Sequence, residues 1–239
     1  MNFGRAFTYA FEDPQWLKKV GIAAVVILIP VIGSIVVMGW GLEITRRVIN
    51  NEAQPLPDWS GNDFGSYLSN GFKAFIATLA YFFPVILIYG CGFTLTFGLA
   101  AAAGNSSSGS NAASGIVTVA GLCMYCFIII FAIAAGLLLP PAFGNLAATG
   151  NLGAAFRFNE VFGLLRAAIG PYILSILAIA VTAVVLSPIG SVICGIGVLA
   201  TTAYLTVLTY HLFGQAYNAA RAAQNAPMPP ASPATPAAM

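Results

Sequence analysis

The side chains in this sequence that could do chemistry are few, and their spacing assembles no catalytic set. The single histidine, His211, stands beside Tyr210 near the end of an apolar run. A lone imidazole in a membrane helix could ligate a haem or chlorophyll metal, but no second axial ligand is identifiable, and a hydrogen-bonded interfacial histidine is the plainer reading. Cys123-Met-Tyr-Cys126 has the two-residue spacing of a zinc or redox half-site, without a second pair or a nearby histidine or acid. Cys91, Cys123, Cys126 and Cys194 all fall inside apolar runs and read as buried thiols used as small hydrophobes. Glu43, Glu52, Asp58 and Asp63 could form a metal or acid/base cluster only if a loop folded them together, and no histidine is near them. Gly-x-Ser-x-Gly, His-Glu-x-x-His and a phosphate-cradling glycine loop with its lysine are missing. The expectation is a protein that is not an enzyme and carries no metal or cofactor.

The elements that would position these residues are dictated by composition. Charged residues are 7% and hydrophobic residues 59% of the chain, against roughly 25% and 45–50% in soluble domains. Apolar runs near the ~20 residues needed to cross hydrocarbon recur. The fold class is therefore all-α integral membrane: a polytopic helical bundle of four to six membrane segments, one domain over residues 1–217. An Ala/Pro-rich tail, 218–239, has too little to bury and should be disordered. A net charge of +2 with scattered basic residues argues against nucleic acid as a partner. The lipid bilayer is the expected partner, together with other membrane-protein subunits.

A polar island, residues 41–72, carries four of the seven acidic residues and forms the main aqueous excursion. It contains Arg46-Arg47 and Leu56-Pro57-Asp58-Trp59. That tetrad suits a structural clamp or a docking epitope, since proline presets the backbone and tryptophan favours the membrane interface. Before the island, Pro30 and Gly33 interrupt the first apolar block, Val20 to Met38, and leave two structures open: one kinked span, or a re-entrant pair of short helices. Three aromatic stretches read as interfacial amphipathic helices: residues 2–17, the stripe Phe64 to Phe75, and the segment Phe156 to Arg166. Later crossings run over Ala74–Ala103, over Gly115–Leu139 to a stop at Pro140-Pro141, and over Ala167–Leu186 and Ile189–Leu212 on either side of a Ser187-Pro188 turn.

Lys and Arg are concentrated in the island, in residues 140–166 and in the tail, and are lacking at 104–114 and 187–188. The positive-inside rule places the former, the three interfacial helices and the C-terminus in the cytoplasm. A single crossing by Val20–Met38 would put Arg5, Lys18 and Lys19 outside, which favours the Pro30 hairpin. Membrane blocks hold no charge at their centres, so an ion-coupled pump is disfavoured.

Pro30-x-x-Gly33, Gly39-Trp40, Arg46-Arg47-Val48-Ile49, Leu56-Pro57-x-Trp59, Gly71-x-Lys73 and Tyr81-x-x-Pro84 together resemble a prokaryotic family of polytopic membrane proteins, domain of unknown function 4013. Ala155-Phe156, Pro171-Tyr172 and His211-Leu-Phe-Gly214-Gln215 are similar to its second half, so the likeness spans roughly residues 3 to 221. The resemblance implies a multi-pass protein of the inner, cytoplasmic membrane and transfers no activity. The expected function is a structural or accessory subunit of a larger membrane complex, with small-xxx-small patterns at Gly92–Thr96, Ala132–Gly136 and Gly190–Cys194–Val198 as close-approach surface. The competing expectations are transport or binding of an apolar, lipid-like solute, and pigment or haem binding through His211.

Overall fold

The structure, a computed structural model, describes residues 2–103, 110–192 and 196–226. Their regular elements are all helical: α1 (Phe3–Thr8), a 3-10 turn (Tyr9–Glu12), α2 (Trp16–Ile27), α3 (Ile32–Asn50), α4 (Gly61–Ala103), α5 (Ser110–Thr149), α6 (Leu152–Ala155), α7 (Phe158–Ala167), α8 (Ile169–Val192) and α9 (Ile196–Asn225). Charge placement explains the arrangement. No Asp, Glu, Lys or Arg occurs between Lys19 and Glu43, between Lys73 and Arg157, or between Arg166 and Arg221. These uncharged stretches are the three hairpins α2/α3, α4/α5 and α8/α9, and the charged residues that bracket them collect at one end of the molecule. Bonds across that end include Lys73 Nζ to Gly150 O at 2.9 Å and Asn218 Nδ2 to Val48 O at 3.1 Å.

Three described helices are long and apolar enough to cross a membrane, over Asp63–Thr94, Gly121–Thr149 and Ile169–Ser191. They lie in α4, α5 and α8. The fifth expected block falls in α9, beside residues 193–195, which lie outside the described set.

Pro30 breaks the first segment. Lys19 of α2 and Arg47 of α3 both donate to the carbonyl of Leu56, at 2.8 and 3.3 Å, so the two limbs start and finish at one level. The chain turns back over residues 28–31, where Ile32 N–H donates to Pro30 O at 2.7 Å and Gly33 N–H to Ile29 O at 3.0 Å. A turn that satisfies its own backbone is what an apolar surrounding demands. Gly33 permits it, since a Cβ there would collide with the Val26 carbonyl of the other limb.

Four boundaries differ from the sequence reading. The aromatic stripe Phe64–Phe75 is no separate helix but the first turns of α4, whose buried Tyr67, Gly71, Ala74 and Ala77 pack on α3. Pro140-Pro141 do not end α5; burial of Ala142, Phe143 and Leu146 carries the helix on to Thr149. Local proline cost is outweighed there by tertiary packing. Ser187-Pro188 makes no turn either, because α8 runs on to Val192, with Ser191 Oγ donating to Ser187 O at 2.9 Å and Gly190 packed closely on Gly197 of α9. At the N-terminus the helix stops at Thr8, tightens to 3-10 and ends before Pro14. Of the stripe Phe3, Ala6, Phe7, Ala10 and Phe11, the two phenylalanines Phe7 and Phe11 are exposed, as on a membrane-seeking face, while Ala6, Ala10 and the neighbouring Tyr9 are buried against the bundle.

Helix α9 is the hub, touching α1, the 3-10 turn, α2, α3, α5, α7 and α8. The core around it joins Val36, Trp40 and Ile44 of α3 to Leu56, Phe143, Val207 and Tyr210. Cys91, Cys123 and Cys126 are exposed on the outward faces of α4 and α5 rather than buried as expected; residues 227–239, most of the expected tail, lie outside the described residues, as do Cys194 and the 104–109 loop.

Candidate functional site

Prolines 55 and 57 remove two backbone donors from a five-residue stretch, 54–58, whose middle the fold nonetheless buries: Pro55, Leu56 and Pro57 are buried, while Gln54 and Asp58 at its ends are exposed. Such a stretch cannot pair its own carbonyls, and buried carbonyls require donors. Five consecutive carbonyls each receive one from a side chain elsewhere. Arg47 Nη1 donates to Gln54 O at 3.3 Å, and Tyr9 Oη to Pro55 O at 2.8 Å. Lys19 Nζ, joined by Arg47, donates to Leu56 O; Trp40 Nε1 donates to Pro57 O at 3.2 Å and Tyr67 Oη to Asp58 O at 2.7 Å. The donors come from the 3-10 turn, α2, α3 and α4. Leu56, fully buried, plugs the core between them.

Lys19 is the pivot of this clamp. Its ammonium is 2.7 Å from Asp13 Oδ2 and 2.9 Å from Asp58 Oδ1. Asp13 also accepts from the backbone N–H of Gln15 at 2.8 Å and of Leu56 at 3.4 Å. The hydrogen bond from Lys19 holds the Asp58 carboxyl below the usual aspartate range. Trp59 closes the ring: Nε1 donates to Lys19 O at 3.0 Å, its indole stacks on Trp40 with centroids 5.4 Å apart, and Tyr67 meets it edge-on at 5.4 Å.

The residues singled out from sequence thus divide. Leu56, Pro57, Trp59, Trp40 and Arg47 converge in the clamp. Arg46 does not; it pairs with Glu43 at 3.7 Å and lines a separate cleft of about 130 Å³ with Asn70 and the end of α5. Pro30 and Gly33 sit at the turn of the first hairpin. His211 lies on the far side of Tyr9, its ring centroid 3.9 Å from the tyrosine's, in a cleft of about 380 Å³ between the N-terminal residues, the end of α3 and α9. The four acids of the island do not converge: Glu43 pairs with Arg46 and Arg47, Glu52 with Arg47, Asp58 with Lys19, and Asp63 accepts from Ser60. Among the described residues no group of three or more His, Cys, Asp or Glu is placed to hold a metal.

Tyr9, Asp13, Lys19 and Tyr67 were not identifiable from sequence as members of the site. The available signal was Pro-Leu-Pro itself, which announces unpaired carbonyls without saying which donors reach them.

A family model described as a protein of unknown function, DUF4013, matches residues 22–195. The chain belongs to this family. No curated protein and no solved structure matches it. The DUF4013 match takes in α3, the clamped loop and the α4/α5 hairpin, while Tyr9, Asp13, Lys19 and His211 lie beyond its ends.

Proposed function

We propose that this DUF4013 protein is a non-catalytic accessory or structural subunit of a larger complex in the cytoplasmic membrane, with its charged end and C-terminus on the cytoplasmic side. The observation that carries this reading is where the polar and apolar groups are spent. The best-developed polar assembly satisfies its own carbonyls and charges, whereas the long apolar helices face outward. In the most apolar 18-residue window of Gly121–Thr149 only 6% is buried within the chain. Phe127, Ile130 and Ile133 are among its exposed side chains. Two of the small-residue patterns are used internally, Gly92 against Met124 and Gly190 against Gly197, but none of the described residues brings a neighbouring atom within 4 Å of where a Cβ on Gly136 would stand. That leaves Ala132–Gly136 of α5 as the surface where a second helix could approach closely.

Extraction of the native membrane in mild detergent, followed by mass spectrometry of what co-purifies, tests the reading. A stoichiometric protein partner lost on Gly136→Leu is expected; a monomer carrying only lipid would defeat it. That second outcome would favour binding or transport of a lipid-like solute. A specific observation supports this alternative: among the described residues α4 packs on α3, α5 and α6 but makes no substantial contact with α8 or α9, so α3 and α5 stand between the two long hairpins and α4 and α8 keep their apolar faces apart. Haem or pigment binding through His211 would have to displace the Gln215 amide, whose Nε2 lies 2.6 Å from the imidazole Nε2. An absorbance spectrum of the purified protein decides that case.

A further inference from the structure

A cavity at membrane depth carries hydroxyls on its walls. It lies between α2, α3 and α9, has a volume of about 150 Å³, and sets Ser34, Thr202, Thr206 and Tyr210 against the apolar side chains of Val37 and Met38. Ser34 is about 13 Å along α3 from Glu43, well inside a hydrocarbon layer of about 30 Å. Ser34 and Thr202 are exposed and form the mouth, whereas Val37 and Tyr210 are buried and form the floor. The cavity therefore opens on a surface that lipid covers.

Two of the hydroxyls are spent inside α9: Thr202 Oγ1 donates to Val198 O at 2.7 Å and Thr206 Oγ1 to Thr202 O at 2.9 Å. The other two are free. Ser34 Oγ and Tyr210 Oη have no hydrogen-bond partner among the described residues, although Tyr210 is only 6% exposed. The Tyr210 ring lies along α3, where a Cβ on Gly41 would meet its Cγ, Cδ2 and Cε2. Side chains on a helix lean toward its N-terminal end, so Oη is carried back over Thr206 and into the cavity. A buried phenol without a partner calls for an acceptor. None of the lining residues is charged, so the acceptor is neutral. A void of about 150 Å³ takes one benzene ring. The free hydrogens belong to Tyr210 and Ser34, and a phenol donates better than it accepts, which selects a carbonyl oxygen.

We propose that this cavity binds the ring of an uncharged, lipid-soluble carbonyl compound of the quinone class, with Tyr210 Oη on the floor and Ser34 Oγ at the mouth donating to its oxygens. A ring entering from the bilayer leaves any tail it carries in lipid. The site is independent of whether the protein serves as a subunit.

The three tryptophans, Trp16, Trp40 and Trp59, all belong to the first hairpin or to the loop clamped on it, and quinones quench tryptophan emission. Duroquinone is titrated into the full-length protein in dodecyl maltoside. Partition into the micelle gives quenching that rises linearly, and the site should add a saturable phase. Durene, the same tetramethylated ring without carbonyls, should fail to displace it. Tyr210→Phe keeps the ring against Gly41 and Phe143 and should weaken the saturable phase several-fold, and Ser34→Ala should weaken it as well. Tyr210→Phe loses no hydrogen bond within the chain, so it should unfold at or above the wild-type temperature. Quenching that is linear throughout, equal affinity in Tyr210→Phe, or displacement by durene overturns the proposal. A lowered unfolding temperature in Tyr210→Phe, which would mean that the phenol already has a partner, overturns it too.

Discussion

The ammonium of Lys19 lies 2.7 Å from Asp13 Oδ2, and neither side chain is more than 3% exposed. Burying two charges is costly, and removing one partner of a buried pair typically costs about 3–5 kcal/mol; here Lys19 keeps the half-exposed Asp58 at 2.9 Å, which places the loss at the low end of that range. Asp13→Ala should therefore destabilise on that scale. It also strips an acceptor from the Leu56 and Gln15 N–H groups. Asp13→Leu combined with Lys19→Met should be less damaging than Asp13→Ala alone, because no buried charge is left unpaired and Arg47 still serves Leu56 O. Thermal unfolding in detergent, followed by tryptophan fluorescence, measures both.

Asp58 supplies a pH dependence whose sign follows from its environment. Its carboxyl is held below the ordinary value in the folded state, first by the hydrogen bond from Lys19. A group depressed in this way stabilises fully above its unfolded value, about 3.9 for aspartate, and the contribution is lost as pH falls through the lower folded value. Acidification below about pH 4 should loosen the 54–59 loop. Since Trp59 and Trp40 stack beside it, the emission should shift to longer wavelength as acid is added. Asp58→Asn should lack that acid-dependent component and start from a looser loop at neutral pH. An identical titration in wild type and variant would contradict the assignment.

Much of this fold was legible because a membrane simplifies the reading. Uncharged stretches longer than the hydrocarbon is thick had to become helices, and Pro30 with Gly33 marked the one place where the chain doubles back early. Helix ends were harder. Pro140, Pro141 and Pro188 look like terminators in a sequence, but a helix held on both sides by packing, as at Ala142, Phe143 and Leu146 or at Gly190 on Gly197, passes through them. The clamp was half legible: Leu56-Pro57-x-Trp59, Trp40 and Arg47 stood out by type. Lys19 and Asp13 did not, since a lysine before an apolar run reads as a snorkelling flank until the loop of residues 54–58 is folded over it. Tyr9 was obscured because it lies off the stripe of Phe3, Ala6, Phe7, Ala10 and Phe11, which reads as the membrane-seeking face of an interfacial helix and says nothing of what the other face packs on.

Helices α3 and α4 touch backbone to backbone at Gly39 and Gly71. A Cβ on Gly39 would fall on the Tyr67 carbonyl, and one on Gly71 on the Ile35 carbonyl. Neither obstacle is the tip of a flexible side chain, so the helices themselves must separate. Gly39→Ala and Gly71→Ala should each cost at or above the top of the roughly 1–3 kcal/mol range for overpacking. Separating the helices also pulls Trp40 from Trp59, which a loss of near-ultraviolet dichroism would report. Gly90→Ala is the control: none of the described residues brings a neighbouring atom within 4 Å of its Cβ position. Mid-helix alanine there should be neutral or stabilising by up to about 1 kcal/mol.

Val31 is the residue on which the first hairpin turns, and its backbone is strained. Its φ of 63° and ψ of −61°, with Ile32 N–H bonded to Pro30 O at 2.7 Å, make a tight three-residue γ-turn of the positive-φ kind. A β-branched residue held there costs about 1–3 kcal/mol, and at 68% exposure its side chain returns little by packing. Val31→Gly should relieve the strain while adding about 0.4–1 kcal/mol of unfolded-chain entropy. The net expectation is a modest gain, seen as a raised unfolding temperature. Val31→Pro should do the opposite, because proline fixes φ near −65°. Had residues 20–38 formed one kinked crossing, glycine would have destabilised it as in any helix interior. The sign of the Val31→Gly effect thus separates a hairpin that turns back at Pro30 from a segment that runs straight through.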